Sequence, residues 1–182
     1  QVSIGGFVAT EDHPDILFIK RGKQAAGMTW VAGHEFGHTL KTTQPALYAE
    51  TIEYLRKTLT EKERAMFLSQ YKGLPGVYDE YSTNENKFLD EFFADQAGNL
   101  MTSKTFWSQL RETSVELFER IANAVINFIN SVGSVTYKWF ETKSSALEFS
   151  NRVRNIIVEE RKAVVQGKQQ VAEVQAKPEV QQ

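Results

Sequence analysis

From Gly76 to Lys177 the chain holds no proline, and only the glycines at 76, 98, 133 and 167 interrupt it. A proline inside a helix costs about 3 kcal/mol and a glycine about 1 kcal/mol relative to alanine. More than half of the chain is thus almost free of the residues that break helices. Helical spacing of apolar side chains agrees with this. In Glu112 to Val132 the apolar positions include 117, 118, 121, 125, 128, 129 and 132, with polar residues at 116, 119, 120, 123, 127 and 130. That pattern predicts an amphipathic helix. Phe88 to Met101 and about Ser144 to Val165 read as two further helices, with a break at Thr102 and Ser103. Charges and asparagines punctuate the apolar runs, so no membrane span is expected.

The N-terminal part differs. Ser3 to Thr10 (SIGGFVAT) and Asp15 to Lys20 (DILFIK) are short runs rich in Ile, Val and Phe. Glu11-Asp12-His13-Pro14 separates them, which predicts two strands joined by a turn. Met28 to Leu40 has apolar residues near helical spacing, with Thr29 as a candidate N-cap. Ala46 to Tyr71 reads as one or two helices, and Thr60 with Glu63 forms a capping-box pattern. Lys72 to Lys87 reads as a long polar loop. The expected class is α+β and mostly helical: a small N-terminal β-sheet packed on the Met28–Leu40 helix, followed by a helical subdomain. Residues 1–105 form the expected core and 106–165 a helical extension. Residues 166–182, rich in Gln and lacking aromatics, form a fraying helix end or linker. A start at Gln1 suggests a piece of a longer polypeptide or assembly.

Composition narrows the chemistry. The formal net charge is −2, so nothing argues for nucleic acid or an anionic surface. Cysteine is absent and histidine occurs at 13, 34 and 38 only. Disulfide frameworks and thiolate zinc fingers are excluded. A zinc site would need imidazole and carboxylate.

His34-Glu35-Phe36-Gly37-His38 supplies the first half of such a site. Histidines four apart on a helix share a face and can converge on one ion. Glu35, one residue on, can reach a water beside the ion without binding the ion itself. A Gly at 41 and a His at 44 would extend the motif in the metzincin manner, but Lys41 and Gln44 stand there. His13 sits in a turn before Pro14 and reads as a solvated residue. A carboxylate from a second helix is the alternative. In Leu89 to Leu100 (LDEFFADQAGNL), Glu91 and Asp95 are four apart on one face. Glu91 is a candidate third ligand, and Asp95 a candidate partner for the second ring nitrogen of His34. Asp90 and Glu85 are its rivals: Asp90 points about 100° away on the helix, and Glu85 falls in the loop.

HEFGH followed by EFFAD resembles the zincin metallopeptidases of the gluzincin type. Tyr81 to Met101 (YSTNENKFLDEFFADQAGNLM) is similar to the third-ligand region of the anthrax-lethal-factor-like peptidases. Its E-x-F-A pattern also resembles the compact ImmA/IrrE-type peptidases of phage-related regions. The resemblance covers about Gly5 to Met101. It implies His34, His38 and Glu91 as ligands of one Zn²⁺ per chain, Glu35 as catalytic base and acid, and Asp95 as an outer carboxylate. A tyrosine before the ligand glutamate stabilises the oxyanion in the lethal-factor-like group. Tyr81, ten residues before Glu91, is the candidate, with Tyr78 the rival, although the spacing is longer than in that group. The resemblance also implies that an edge strand, Gly5-Gly6-Phe7-Val8 or Leu17-Phe18-Ile19, pairs with an extended substrate.

These readings combine into a zinc-dependent endopeptidase acting on protein or peptide substrates. Its relatives include virion-associated and secreted or delivered proteins, and the sequence does not choose a compartment. Two rivals stay open: a catalytically silent zincin-fold module of a larger phage- or toxin-related protein, and an all-helical binding protein with an accidental HEFGH.

Overall fold

A computed structural model describes the backbone of residues 5–8, 16–19, 25–72, 75–136 and 143–175, and the side chains of 32–72, 76–131 and 147–169. Two strands, β1 (Gly5–Val8) and β2 (Ile16–Ile19), pair antiparallel, with Gly5 opposite Ile19 and Val8 opposite Ile16. Eight helices follow among the described residues: α1 (Ala25–Thr43), α2 (Pro45–Thr58), α3 (Glu61–Ser69), α4 (Pro75–Thr83), α5 (Glu85–Met101), α6 (Lys104–Thr113), α7 (Val115–Thr136) and α8 (Lys143–Gln175).

The expected α+β class is thereby corrected to a helical one. Among the residues whose side chains are described, every buried apolar residue lies on a helix. Among the described residues the four-residue strands pair with each other alone and form a two-stranded hairpin. A two-stranded hairpin is at best marginally stable alone. The helices supply the layers on which a core depends. Helix α1 packs foremost on α5, and both strands lie against it as well. The turn carrying His13 lies outside the described residues, as do residues 176–182 of the expected tail. None of the described helices is long and apolar enough to cross a membrane.

Local signals explain most boundaries. Pro45 opens α2 at the position where a missing N–H costs nothing. The expected capping box is formed: Glu63 N–H donates to Thr60 Oγ1 at 3.3 Å, and Thr60 N–H donates to Glu63 Oε2 at 2.8 Å. Asn84 accepts from Lys87 N–H and starts α5; Ser103 accepts from Phe106 N–H and starts α6. Two expectations fail here. Helix α1 begins at Ala25, so Thr29 lies inside it and is not its cap. The expected loop 72–87 contains α4, opened by Pro75. A proline read as a breaker is also a good first residue for a helix.

The site is positioned by the crossing of α1 and α5. A Cβ on Gly33 would fall 1.9 Å from Gly98 N, and one on Gly37 would fall 3.0 Å from Ala94 Cα. Gly33 meets Gly98 while Gly37 meets Ala94, so the helices run antiparallel with their backbones touching. Phe36 and Leu40 point from α1 into the core, where Phe36 meets Phe93 and Phe128 edge-on.

Candidate metal centre

The small residues and the motif interleave. His34 and His38 each follow one of the contact glycines, which puts both on the flank of α1 beside the crossing. Asp95 follows Ala94 on α5 in the same way. His34 Nδ1 lies 3.0 Å from Asp95 Oδ1. The carboxylate accepts, so the ring carries its proton on Nδ1 and presents a lone pair at Nε2. His38 Nε2 lies 3.0 Å from His34 Nε2. Two nitrogens bound tetrahedrally at about 2.0–2.1 Å to one zinc ion stand roughly 3.3 Å apart. The separation of the two Nε2 atoms is therefore close to that of a ligating pair.

Asp95 is held from its other side. Tyr71, in the turn after α3, donates its hydroxyl to Asp95 Oδ2. The hydrogen bond to Asp95 raises the His34 pKa above its ordinary value, against the opposing effect of burial. Burial lowers that of His38, and the neighbouring His34 lowers it further.

Glu35 is 4% exposed, and its Oε2 is enclosed with no hydrogen-bond partner. Burial raises its pKa. A buried carboxylate oxygen without a donor is costly, and such an atom in a native fold calls for an explanation.

The rival carboxylates are engaged elsewhere. Asp90 takes the ammonium of Lys41 and, at 2.6 Å, the hydroxyl of Tyr48. Glu85 is gripped by Arg56 and Arg64. Glu91 has no such partner among the described residues. It sits one turn before Asp95 on α5, towards the His38 end of the antiparallel α1. Burial raises its pKa, and the negative charge of Asp95 adds to this. It does not complete the cluster: among the described residues, no three His, Asp or Glu side chains stand grouped as a full metal site. Tyr81 packs edge-on against Tyr71 with centroids 5.0 Å apart. Burial, with the charges of Glu91 and Asp95, pushes its phenol up to about 12. Tyr81 is thus beside the two α5 carboxylates. Tyr78 is half-buried on the same helix.

The structure therefore gathers His34, His38 and Asp95, keeps Glu35 buried next to them, and puts Glu91 and Tyr81 at the margin. Sequence reasoning missed Tyr71, Tyr48 and Lys41. Tyr71 is 24 positions from its partner and carries no local pattern. Lys41 could have been found as the next residue on the His34–His38 side of α1.

Comparison with protein-family models, with curated proteins and with solved structures finds no match for this chain.

Proposed function

We propose that this chain is a zinc-dependent peptidase of the gluzincin type, with its centre at the α1–α5 crossing. One observation carries the reading: the Nε2 atoms of His34 and His38 stand 3.0 Å apart, and a carboxylate oxygen of Asp95 lies 3.0 Å from Nδ1 of His34. The donor set fits Zn²⁺, since neutral imidazole with a carboxylate is a common zinc environment. His34, His38 and Glu91 would hold the ion. When bound, zinc would supply Lewis acidity and a water that ionises near neutral pH.

The chain's own groups then divide the work. Glu35 Oε2, the oxygen left without a donor, takes the proton of the attacking water and returns it to the departing amine. Tyr81 donates its hydroxyl to the oxyanion as the carbonyl becomes tetrahedral. Its raised pKa keeps that proton in place at neutral pH. The backbone contact of α1 with α5 fixes the distance between motif and carboxylates, which favours a preorganised site. An extended protein or peptide segment is the substrate class.

One observation favours a second reading. Without a third donor grouped with the histidines among the described residues, the chain also suits a silent zincin-like module of a larger protein. Two measurements separate these readings. Metal analysis of chain never exposed to chelator should find about one zinc per molecule. Glu35→Gln should keep zinc and lose cleavage of a peptide library, by about 10²–10⁴-fold. Chain that holds no zinc sinks the metal reading. Zinc without cleavage in the wild type selects the silent module.

A further inference from the structure

We infer that Tyr71 is a positioning residue of this centre, holding Asp95 so that Asp95 can hold His34. The inference rests on the zinc-site reading above and adds to it a residue outside both helices of the site. Three elements form one chain of hydrogen bonds. Tyr71 donates to Oδ2 of Asp95, and His34 Nδ1–H donates to Oδ1 of the same carboxylate. A carboxylate held at one oxygen can still swing about its last torsion, which is broad for Asp. A second donor at the other oxygen fixes its plane, and with it the direction of His34 Nε2.

Tyr71 is itself well seated. Its backbone N–H bonds Leu68 O at 3.0 Å, closing the turn after α3. Its ring lies 5.3 Å from that of Phe67, which is 2% exposed, and 5.0 Å from that of Tyr81. Burial and the nearby Asp95 keep the phenol protonated at any physiological pH. It therefore stays a donor. The ring packing and the hydroxyl are separable: Tyr71→Phe removes the hydrogen bond and leaves the ring.

The test uses the whole chain with zinc and without it. In competition titrations Tyr71→Phe should bind zinc about 10–100-fold more weakly, as outer-shell partners of metal ligands do. In an Asp95→Ala background the same change should have no further effect on zinc affinity, because the link is already broken. In metal-free chain, nitrogen-15 spectra of the imidazoles should show His34 protonated at Nδ1 in the wild type and a mixture of tautomers in Tyr71→Phe. A purely structural tyrosine would lower the melting temperature and leave the tautomer alone. Unchanged zinc affinity, or an equal loss in the Asp95→Ala background, overturns the inference. If the wild type binds no zinc, the metal reading fails by itself. The metal-free tautomer comparison then still decides: a retained Nδ1 proton in Tyr71→Phe overturns the role of Tyr71.

Discussion

The α1–α5 crossing and the α6–α7–α8 assembly are packed on opposite principles. At the crossing, glycine and alanine let two backbones touch, and the polar side chains on the flank converge. In the assembly, large side chains fill the space between helices: Trp107, Leu110, Phe118, Val153 and Ile157 are fully buried. Its polar contacts are ion pairs that span helices, such as Arg111 Nε on the buried Glu160 at 2.7 Å and Arg161 Nε on Glu119 at 2.9 Å. Bulky cores tolerate adjustment by repacking, at a cost per methylene lost. A backbone contact has no side chain to adjust. The His34–His38–Asp95 cluster lies where the geometry is least adjustable.

The largest effect should come from the bulky region. Trp107 is fully buried, donates Nε1–H to Met101 O at 2.8 Å, and meets Phe106 and Phe118 edge-on. Trp107→Ala should lower the stability to urea by about 3–5 kcal/mol. If the two regions are separate in function, the folded fraction should keep wild-type zinc affinity. A matching loss of zinc affinity would break the contrast, because it would make the assembly part of the site.

The next effect belongs to the crossing, and its sign is the informative part. Alanine is a better helix former than glycine by about 1 kcal/mol, so Gly33→Ala on an open helix would stabilise. Here the added Cβ would sit 1.9 Å from Gly98 N. The helices must move apart, and overpacking of this kind costs about 1–3 kcal/mol. Urea titration should show a destabilised chain, and zinc should bind more weakly because His34 is carried away from Asp95. Gly37→Ala, with its 3.0 Å approach to Ala94, should do less. A Gly33→Ala chain as stable as wild type would refute the close backbone contact.

Much of this arrangement could be read in the sequence, for reasons that are local. Helical content followed from the proline-free run, and the capping box from Thr60 and Glu63. The histidine pair and the Glu91–Asp95 pair followed from four-residue spacing, which is a property of one helix. Relations between helices were not legible. Nothing near Gly33 says that Gly98 will lie against it, and nothing near Tyr71 says that its hydroxyl will reach Asp95. Sequence ranked Asp90 and Glu85 behind Glu91 by helix angle and loop position, but not by their partners Lys41, Tyr48, Arg56 and Arg64, which come from other turns and helices. The sheet was over-read: alternating Ile, Val and Phe signal strands, but not how many strands join them. Helix α4 was under-read because polar residues dominate it.

The smallest effect tests an element outside both regions. Helix α3 leads into the turn that carries Tyr71, and its start is secured by Thr60 and Glu63. Thr60→Ala removes the hydroxyl that accepts from Glu63 N–H and donates to Glu63 Oε2 at 2.6 Å. The expected loss is about 1 kcal/mol near neutral pH. The hydrogen bonds from Thr60 hold the Glu63 carboxyl below its ordinary value of 4.5. A depressed carboxyl stabilises the fold above its unfolded value, and this contribution fades as the pH falls through the folded value. The deficit of Thr60→Ala against wild type should therefore be full at pH 7 and shrink below about pH 4.5. It should not vanish, since Glu63 N–H still lacks its acceptor. Paired urea titrations at pH 7 and in acid measure this directly. A deficit that grows in acid would contradict the charged half of the capping box. A Thr60→Ala chain with unchanged His34 tautomer would show that Tyr71 is held by its own turn and aromatic neighbours rather than by the start of α3.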